Sequence, residues 1–290
     1  MIDFAGEDKD LDLALIKQLI DSIHIPSPPQ LLLDLRELLQ SEDADPEVIA
    51  SMLGRDSALA AKTLTIVNSP LYKLKEPVSS IARAAVLLGP RIIQSAIISS
   101  AFREMVSGLI VEKSFLHEYW RHSLSVAEIC KVVAERLHAA NRSINSNDAY
   151  LMGLFHDAGM VVLMVKDNQY LQSILRSKAL YENLANVEAE DSLINHADVA
   201  YFMSKSWGLS GDVRRAIRYH HGAQDALALS PAADSYLSIL IIAEYLSVLY
   251  DEEQMFGLEF RSQQEIMAAM QRVNMSIVDL KKVQATLLDL

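Results

Sequence analysis

The stretch Tyr150-Leu151-Met152-Gly153-Leu154-Phe155-His156-Asp157-Ala158-Gly159-Met160-Val161-Val162-Leu163-Met164-Val165 decides how the rest of the chain is read. It is apolar on every side of a helical wheel, as a helix enclosed by other helices is. It is short of a bilayer span and carries a histidine and an acid at its middle. A second stretch, Tyr236 to Tyr250, has the same character, with Glu244 as the charged residue of its apolar centre. Outward from these two segments, apolar residues recur at spacings of three and four, and no sustained two-residue alternation is bounded by turn signals. The expected fold is all-α: an N-terminal helical lobe packed on a helical core built around the two buried helices.

Composition agrees. The 290 residues are 51% hydrophobic and 22% charged, with 10 Gly and 8 Pro, which suits a globular, helix-rich chain of one large or two modest domains. Lys and Arg total 26 against 38 Asp and Glu, a formal charge of -12 that disfavours nucleic acid as a partner. Cys130 is the single cysteine, so an intramolecular disulfide and any thiolate-rich metal site are excluded, and a reducing compartment is expected. Met1 to Asp8 shows neither the basic nor the apolar region of a secretory signal. The expectation is a chain that begins here and works in the cytoplasm, away from membranes.

Helix boundaries follow from caps and breakers. A first amphipathic helix reads from Leu11 to Ile23 and stops before Ile25-Pro26-Ser27-Pro28-Pro29. The next runs through Leu31, Leu35 and Leu38. Asp45-Pro46-Glu47 supplies a cap, a proline at the first helical position and a first-turn acid, and Asp56-Ser57 caps a helix from Leu59 to Val67. Asn68-Ser69-Pro70 stops it, Ser79-Ser80 restarts, and Leu88-Gly89-Pro90 divides that helix from Ile92 to Phe102. The pattern loosens over Ser107 to Lys113. The reading therefore divides the chain into a lead-in at 1–14, an N-terminal lobe at 15–110, a core lobe at 111–250 and a C-terminal helical extension at 251–290. Helices of the core lobe are expected over Phe115–Leu137, Asn147–Val165, Asp191–Trp207, Asp212–His221 and Ala232–Tyr250. Val78 to Phe102 has the outline of a helix-turn-helix, but its only local basic residues are Arg83, Arg91 and Arg103, and the second helix reads as core.

Chemistry is expected where charge is buried. A lone buried carboxylate costs several kcal/mol, so Asp157 and Glu244 each need a cation, a donor network or a metal. His122 lies on the stripe of Val126, Ile129 and Val133, and His196 on that of Val199, Ala200, Met203 and Trp207. His220 continues the stripe of Val213, Ala216 and Ile217, and His221 follows it. Imidazoles and carboxylates meeting in a core without thiolates suit iron, manganese, zinc or magnesium, as one or two ions. The plainer alternatives are core histidines bonded to backbone, His220 and His221 placed at a helix C-terminus by its dipole, and Asp157 paired with Arg121. His24, His117 and His138 read as surface or boundary residues.

His122, the His156-Asp157 doublet and a downstream acid, in that order, resemble the His…His-Asp…Asp pattern of the HD superfamily of metal-dependent phosphohydrolases. The surroundings narrow the resemblance. Ile25-Pro26-Ser27-Pro28-Pro29, Gly54-Arg55-Asp56-Ser57-Ala58-Leu59, Val67-Asn68-Ser69-Pro70-Leu71-Tyr72, Pro77-Val78-Ser79-Ser80-Ile81-Ala82-Arg83-Ala84, Leu88-Gly89, Trp207-Gly208-Leu209 and Tyr219-His220-His221 resemble the HDOD family, the HD-related output domains. This likeness spans roughly residues 15 to 250. It implies an all-helical output or scaffold module of bacterial signal transduction. It also implies that His122, His156, Asp157, His196, His220 and His221 stand at ligand positions, with Glu244 where an aspartate closes the pattern in HD proteins.

Two departures bear on activity. The cyclic-dinucleotide hydrolases of the HD-GYP branch follow their doublet with glycine and lysine, whereas Met160 follows Gly159 here. They also carry an acidic Gly-Tyr-Pro segment after the paired histidines, where this chain has Gly222-Ala223-Gln224-Asp225-Ala226. The expectation is a non-catalytic regulatory protein with a metal site and a signalling protein as partner. The alternative is an active phosphohydrolase on a nucleotide or other phosphorylated small molecule, with Arg214, Arg215 and Arg218 near His220 and the anion contacts assigned to Arg215 and Arg218.

Overall fold

The structure is a computed structural model, and it describes residues 28, 30–40, 45–69, 74–109, 111–138, 144–166, 169–180, 184–191, 195–222, 229–250 and 262–288. The helix expected over Leu11–Ile23 lies outside them. Every regular element among the described residues is helical, as the periodicity requires. The chain divides into two compact units, one of Ser27–Gly108 and one containing Leu109–Leu290.

In the first unit, α1 (Gln30–Gln40), α2 (Pro46–Leu53) and α3 (Ser57–Val67) all pack on α4 (Ile81–Ser107). Asp45 caps α2 through the Glu47 amide at 2.8 Å, with Pro46 at the helix start. Asp56 caps α3 through the amides of Ala58 and Leu59. Leu59, Thr63 and Val67, spaced four apart, form the buried stripe of α3. Just beyond it, the Asn68 side chain bonds both the amide and the carbonyl of Val78, at 2.7 and 2.8 Å. That pair ties the end of α3 to the approach to α4. Within α4 the helical path breaks at Gly89, whose φ of 73° and ψ of 166° suit glycine alone, and Pro90 starts the second segment.

The second unit is built on α5 (Lys113–His138), which packs on α6 (Ser146–Phe155), α12 (Pro231–Tyr250) and α14 (Ile277–Leu288). α7 (Ala158–Lys166) packs on α10 (His196–Ser206), and α11 (Gly211–Arg218) lies between α10 and α12. α8 (Tyr170–Leu180) and α9 (Leu184–Asp191) pair with one another beside α7 and α10, and α13 (Gln263–Arg272) covers α12. The segments Ile81–Ser107, Ser146–Lys166 and Pro231–Leu249 are each long and apolar enough to cross a membrane, so the two apolar stretches are not short of a span once their flanking turns are included. The last two spend most of that surface in the core of this unit.

Four sequence expectations change here. The continuous helix expected over Asn147–Val165 is broken: His156 and Asp157 form a turn between α6 and α7, although both pieces are buried as expected. No proline or cap marks the break. Just beyond it, Gly159 brings α7 so close to α10 that an added Cβ would stand 2.0 Å from the His196 carbonyl oxygen. The helix expected from Asp191 starts at His196 instead, since Asn195 caps it through the Asp198 amide at 2.8 Å. The helix expected to reach His221 ends at Arg218, with Tyr219 at φ -99° and ψ 11° closing its last turn. Finally, α8 and α9 occupy a stretch in which the sequence pattern marks no helix.

Candidate metal centre

His122 projects from the middle of α5 and Glu244 from the middle of α12, two long helices in direct contact. His156 and Asp157 come from the α6–α7 turn, His196 from the first residue of α10, and His220 and His221 from the turn after α11. Neighbouring residues in a continuous helix point about 100° apart. Breaking the helix at both doublets lets each pair face one point.

The side chains converge. His156 Nε2 lies 3.2 Å from His122 Nε2, 3.1 Å from Asp157 Oδ2 and 3.7 Å from Glu244 Oε1. His122 Nε2 is 3.4 Å from the same Asp157 oxygen. The other oxygen, Oδ1, faces His196 Nε2 at 3.3 Å and His220 Nε2 at 3.5 Å. His221 Nε2 contacts His196 Nε2. Asp157 thus stands between two groups, His122 and His156 on one oxygen and His196, His220 and His221 on the other. His122, His156, His196, His220 and Glu244 are at most 3% exposed and Asp157 is 6% exposed, while His221 is half-buried.

Each of three imidazoles has its far nitrogen committed. His156 Nδ1 donates to the Gly153 carbonyl at 2.7 Å, His220 Nδ1 to the Ile217 carbonyl, and His196 Nδ1 to Glu188 Oε2 at 2.8 Å. In a neutral ring this leaves the Nε2 lone pair aimed at the cluster. Two donors at about 2.1 Å from one ion, separated by 90–110°, stand about 3.0–3.4 Å apart. The separations of His122, His156, His196 and His220 from Asp157, at 3.1–3.5 Å, and of His122 from His156, at 3.2 Å, are close to that spacing, while His196 and His221 stand closer, at 2.5 Å. Three overlapping sets therefore could hold a metal ion: Asp157 with His196, His220 and His221; His122 with His156 and Asp157; and His156 with His220 and Glu244.

Electrostatics point the same way. Asp157, Glu188 and Glu244 are buried, and no lysine or arginine is buried among the described residues. Burial opposes charge on His156, yet Asp157 and Glu244 beside it raise its pKa to about 9. His196 is raised well above its ordinary value, burial being outweighed by Glu188 and Asp157. Burial likewise opposes ionisation of Asp157, but His156 and hydrogen bonds from the surrounding imidazoles hold its carboxyl well below the usual range. His220 shifts the other way, because burial prevails over its acidic neighbours. The buried acids are thus balanced by imidazoles and by no lysine or arginine among the described buried residues.

Glu188 joins the cluster without a mark in the sequence pattern. It is 2% exposed, accepts from the His196 ring and backbone amide, and receives the Tyr170 hydroxyl. Its only signal is an acid beside Val187 in a short segment with two further acids, Glu190 and Asp191. The arginines have partners of their own: Arg121 pairs with Glu118, Arg215 with Asp212 at 2.8 Å, and Arg218 with Asp198 at 3.2 Å. Arg214 and Arg218 also stack against the Tyr201 ring.

The HDOD domain model matches residues 25–223. Among solved structures, a candidate phosphohydrolase from Shewanella amazonensis SB2B is 21% identical, with 95% of this chain and 94% of that one covered at a TM-score of 0.70. An HDOD domain protein of unknown function from Geobacter sulfurreducens is 23% identical, with coverage of 93% and 96% and a TM-score of 0.64. A candidate signal transduction protein from Marinobacter aquaeolei VT8 is 19% identical over 92% of this chain and 58% of that one, at a TM-score of 0.66. At these identities the likeness is one of fold. No curated protein matches the chain.

Proposed function

Since the chain belongs to the HDOD domain family, we propose that it is a bacterial signal-transduction output module whose second unit closes around one or two divalent ions and turns over no substrate. The observation that carries this reading is the convergence of buried imidazole Nε2 atoms on both oxygens of Asp157, with the Nδ1 atoms of three rings already committed. Imidazole-rich donors with carboxylates and no thiolate suit iron, manganese or zinc better than magnesium, which favours oxygen ligands. His122, His156, Asp157, His196, His220, His221 and Glu244 would hold the ions.

Burial supports a regulatory role, because closed sites are characteristic of structural metals. Met160, where the cyclic-dinucleotide hydrolases have a lysine, is itself buried at 2% exposure, so that side chain offers no charge to a phosphate. The reading includes a cytoplasmic location, a signalling protein as partner, and no role at nucleic acid or membrane. Elemental analysis of the purified full chain beside His156→Ala tests the metal: one to two equivalents in the parent and a loss in the variant are expected. Absence of bound metal after reconstitution with iron, manganese and zinc overturns the reading.

A second reading, a metal-dependent phosphohydrolase, is favoured by the half-buried His221, which gives the cluster a less enclosed side. A bound ion would there act as a Lewis acid toward a phosphoryl oxygen. Asp157 would hold the imidazoles in place, and Arg215 and Arg218 would have to exchange Asp212 and Asp198 for the substrate. Metal-dependent turnover of any member of a nucleotide and phosphoester panel, abolished by His156→Ala, would replace the first reading with this one.

A further inference from the structure

We infer that Glu188, anchored by Tyr170, is a positioning residue that makes the Asp157–His196–His220–His221 group the tighter of two metal positions; the inference rests on the metal-holding reading above. Glu188 Oε2 accepts the His196 Nδ1 proton at 2.8 Å and the His196 backbone amide at 3.1 Å, while Oε1 accepts the Tyr170 hydroxyl. Three donors on two oxygens leave the carboxylate, and the ring it holds, one orientation. The ring's Nε2 is thereby set beside Asp157 Oδ1 and His221 Nε2.

The three rings with committed Nδ1 atoms are not equivalent. His156 and His220 donate to neutral backbone carbonyls, of Gly153 and Ile217, whereas His196 donates to an acid. An imidazole bonded to a carboxylate through one nitrogen is the stronger metal donor through the other, and losing such a partner costs about 10–100-fold in metal affinity. Glu188 touches neither His122 nor His156 in any contact described above. Its effect therefore falls first on the position that His196 serves and reaches the His122–His156 group only through the shared Asp157.

Zn²⁺ titration of the metal-free full chain against a chromophoric chelator at fixed pH tests this. The parent should bind two equivalents in resolved steps. Glu188→Gln keeps the size of the side chain and one oxygen acceptor but loses the charge, and it should weaken the tighter step about 10–100-fold while affecting the weaker one less. Tyr170→Phe should weaken the same step to a smaller extent, and serves in place of Glu188→Gln should that variant fail to fold. His122→Ala should remove only the weaker step. A buttress that merely joined α9 to α10 would shift the melting temperature without separating the two steps. An unchanged tight step in both Glu188→Gln and Tyr170→Phe, or equal weakening of both steps, overturns the inference while the metal-holding reading stands. A parent that binds no Zn²⁺ overturns the metal-holding reading for that ion, and this inference with it.

Discussion

Stripping the protein of divalent ions should reverse the slope of its stability between pH 6.5 and 9. In the metal-free chain the buried acids Asp157, Glu188 and Glu244 are neutralised only by imidazolium, because no lysine or arginine is buried among the described residues. His156 carries that charge with its pKa raised from 6.5 to about 9. A histidine raised in this way stabilises the fold fully below 6.5, and the contribution disappears as pH rises through 9. The difference is worth about 3 kcal/mol, and His196 is shifted in the same direction. For a unit of this size, about 3 kcal/mol moves the midpoint by about 6–12 °C. Metal binding needs the unprotonated rings, so the loaded protein should gain stability as pH rises across the same window. Thermal melts from pH 6 to 9.5, with and without chelator, should therefore cross. His156→Gln should lose most of the slope in chelator. A flat profile from 6.5 to 9 in the chelated parent would refute the charge account of this site, and a shared downward slope in both forms would refute the exchange of protons for metal.

Other outcomes follow from single contacts. Loading Zn²⁺ at pH 7 should release protons from His156 and His196, seen by calorimetry as an apparent enthalpy that varies with buffer, and the His156 share of the release should fall away above pH 9. Asp157→Asn removes the carboxylate that faces four imidazoles; a cost of about 3–5 kcal/mol in the metal-free protein and loss of bound metal are expected, by melting and elemental analysis. Gly159→Ala drives a Cβ into the His196 carbonyl and should cost about 1–3 kcal/mol together with metal loading, since α10 must retreat and carry His196 away. Asn68→Ala breaks the paired bonds to Val78 in the first unit and should cost about 1–3 kcal/mol without changing metal content.

How far the sequence reveals such a site depends on what each side chain does to the local pattern. An acid and a histidine inside Tyr150–Val165 violate an all-apolar stripe, as does Glu244 in its own helix, and violations of that kind are visible. The stripes of His122 and His196 point inward by periodicity alone. Glu188 breaks no pattern: it is one of three acids in Val187-Glu188-Ala189-Glu190-Asp191, and only the packing of α9 against α10 separates it from Glu190, which is exposed. Helix ends were legible where a capping side chain announced them, as at Asp45, Asp56 and Ser80. The break at His156-Asp157 follows no proline, and beside it α10 lies against Gly159, a contact between residues far apart in sequence.

That break is what makes the site a product of tertiary structure. His122 and Glu244 sit within long helices that hold them whatever happens at the cluster, but His156, Asp157, His196, His220 and His221 all stand at helix ends, whose directions depend on packing. Adjacent residues in a helix point about 100° apart, so a doublet converges on one ion more readily where its helix stops. The cost is that five of the seven candidate ligands are placed by junctions between helices. An ion held by them would draw α5, α6, α7, α10, α11 and α12 together, and its binding free energy would appear as cooperative stability of that unit. A signal that shifted α10 relative to α7 at the Gly159 contact would then alter metal affinity, and metal loading would resist that shift by the same free energy, since the linkage acts in both directions.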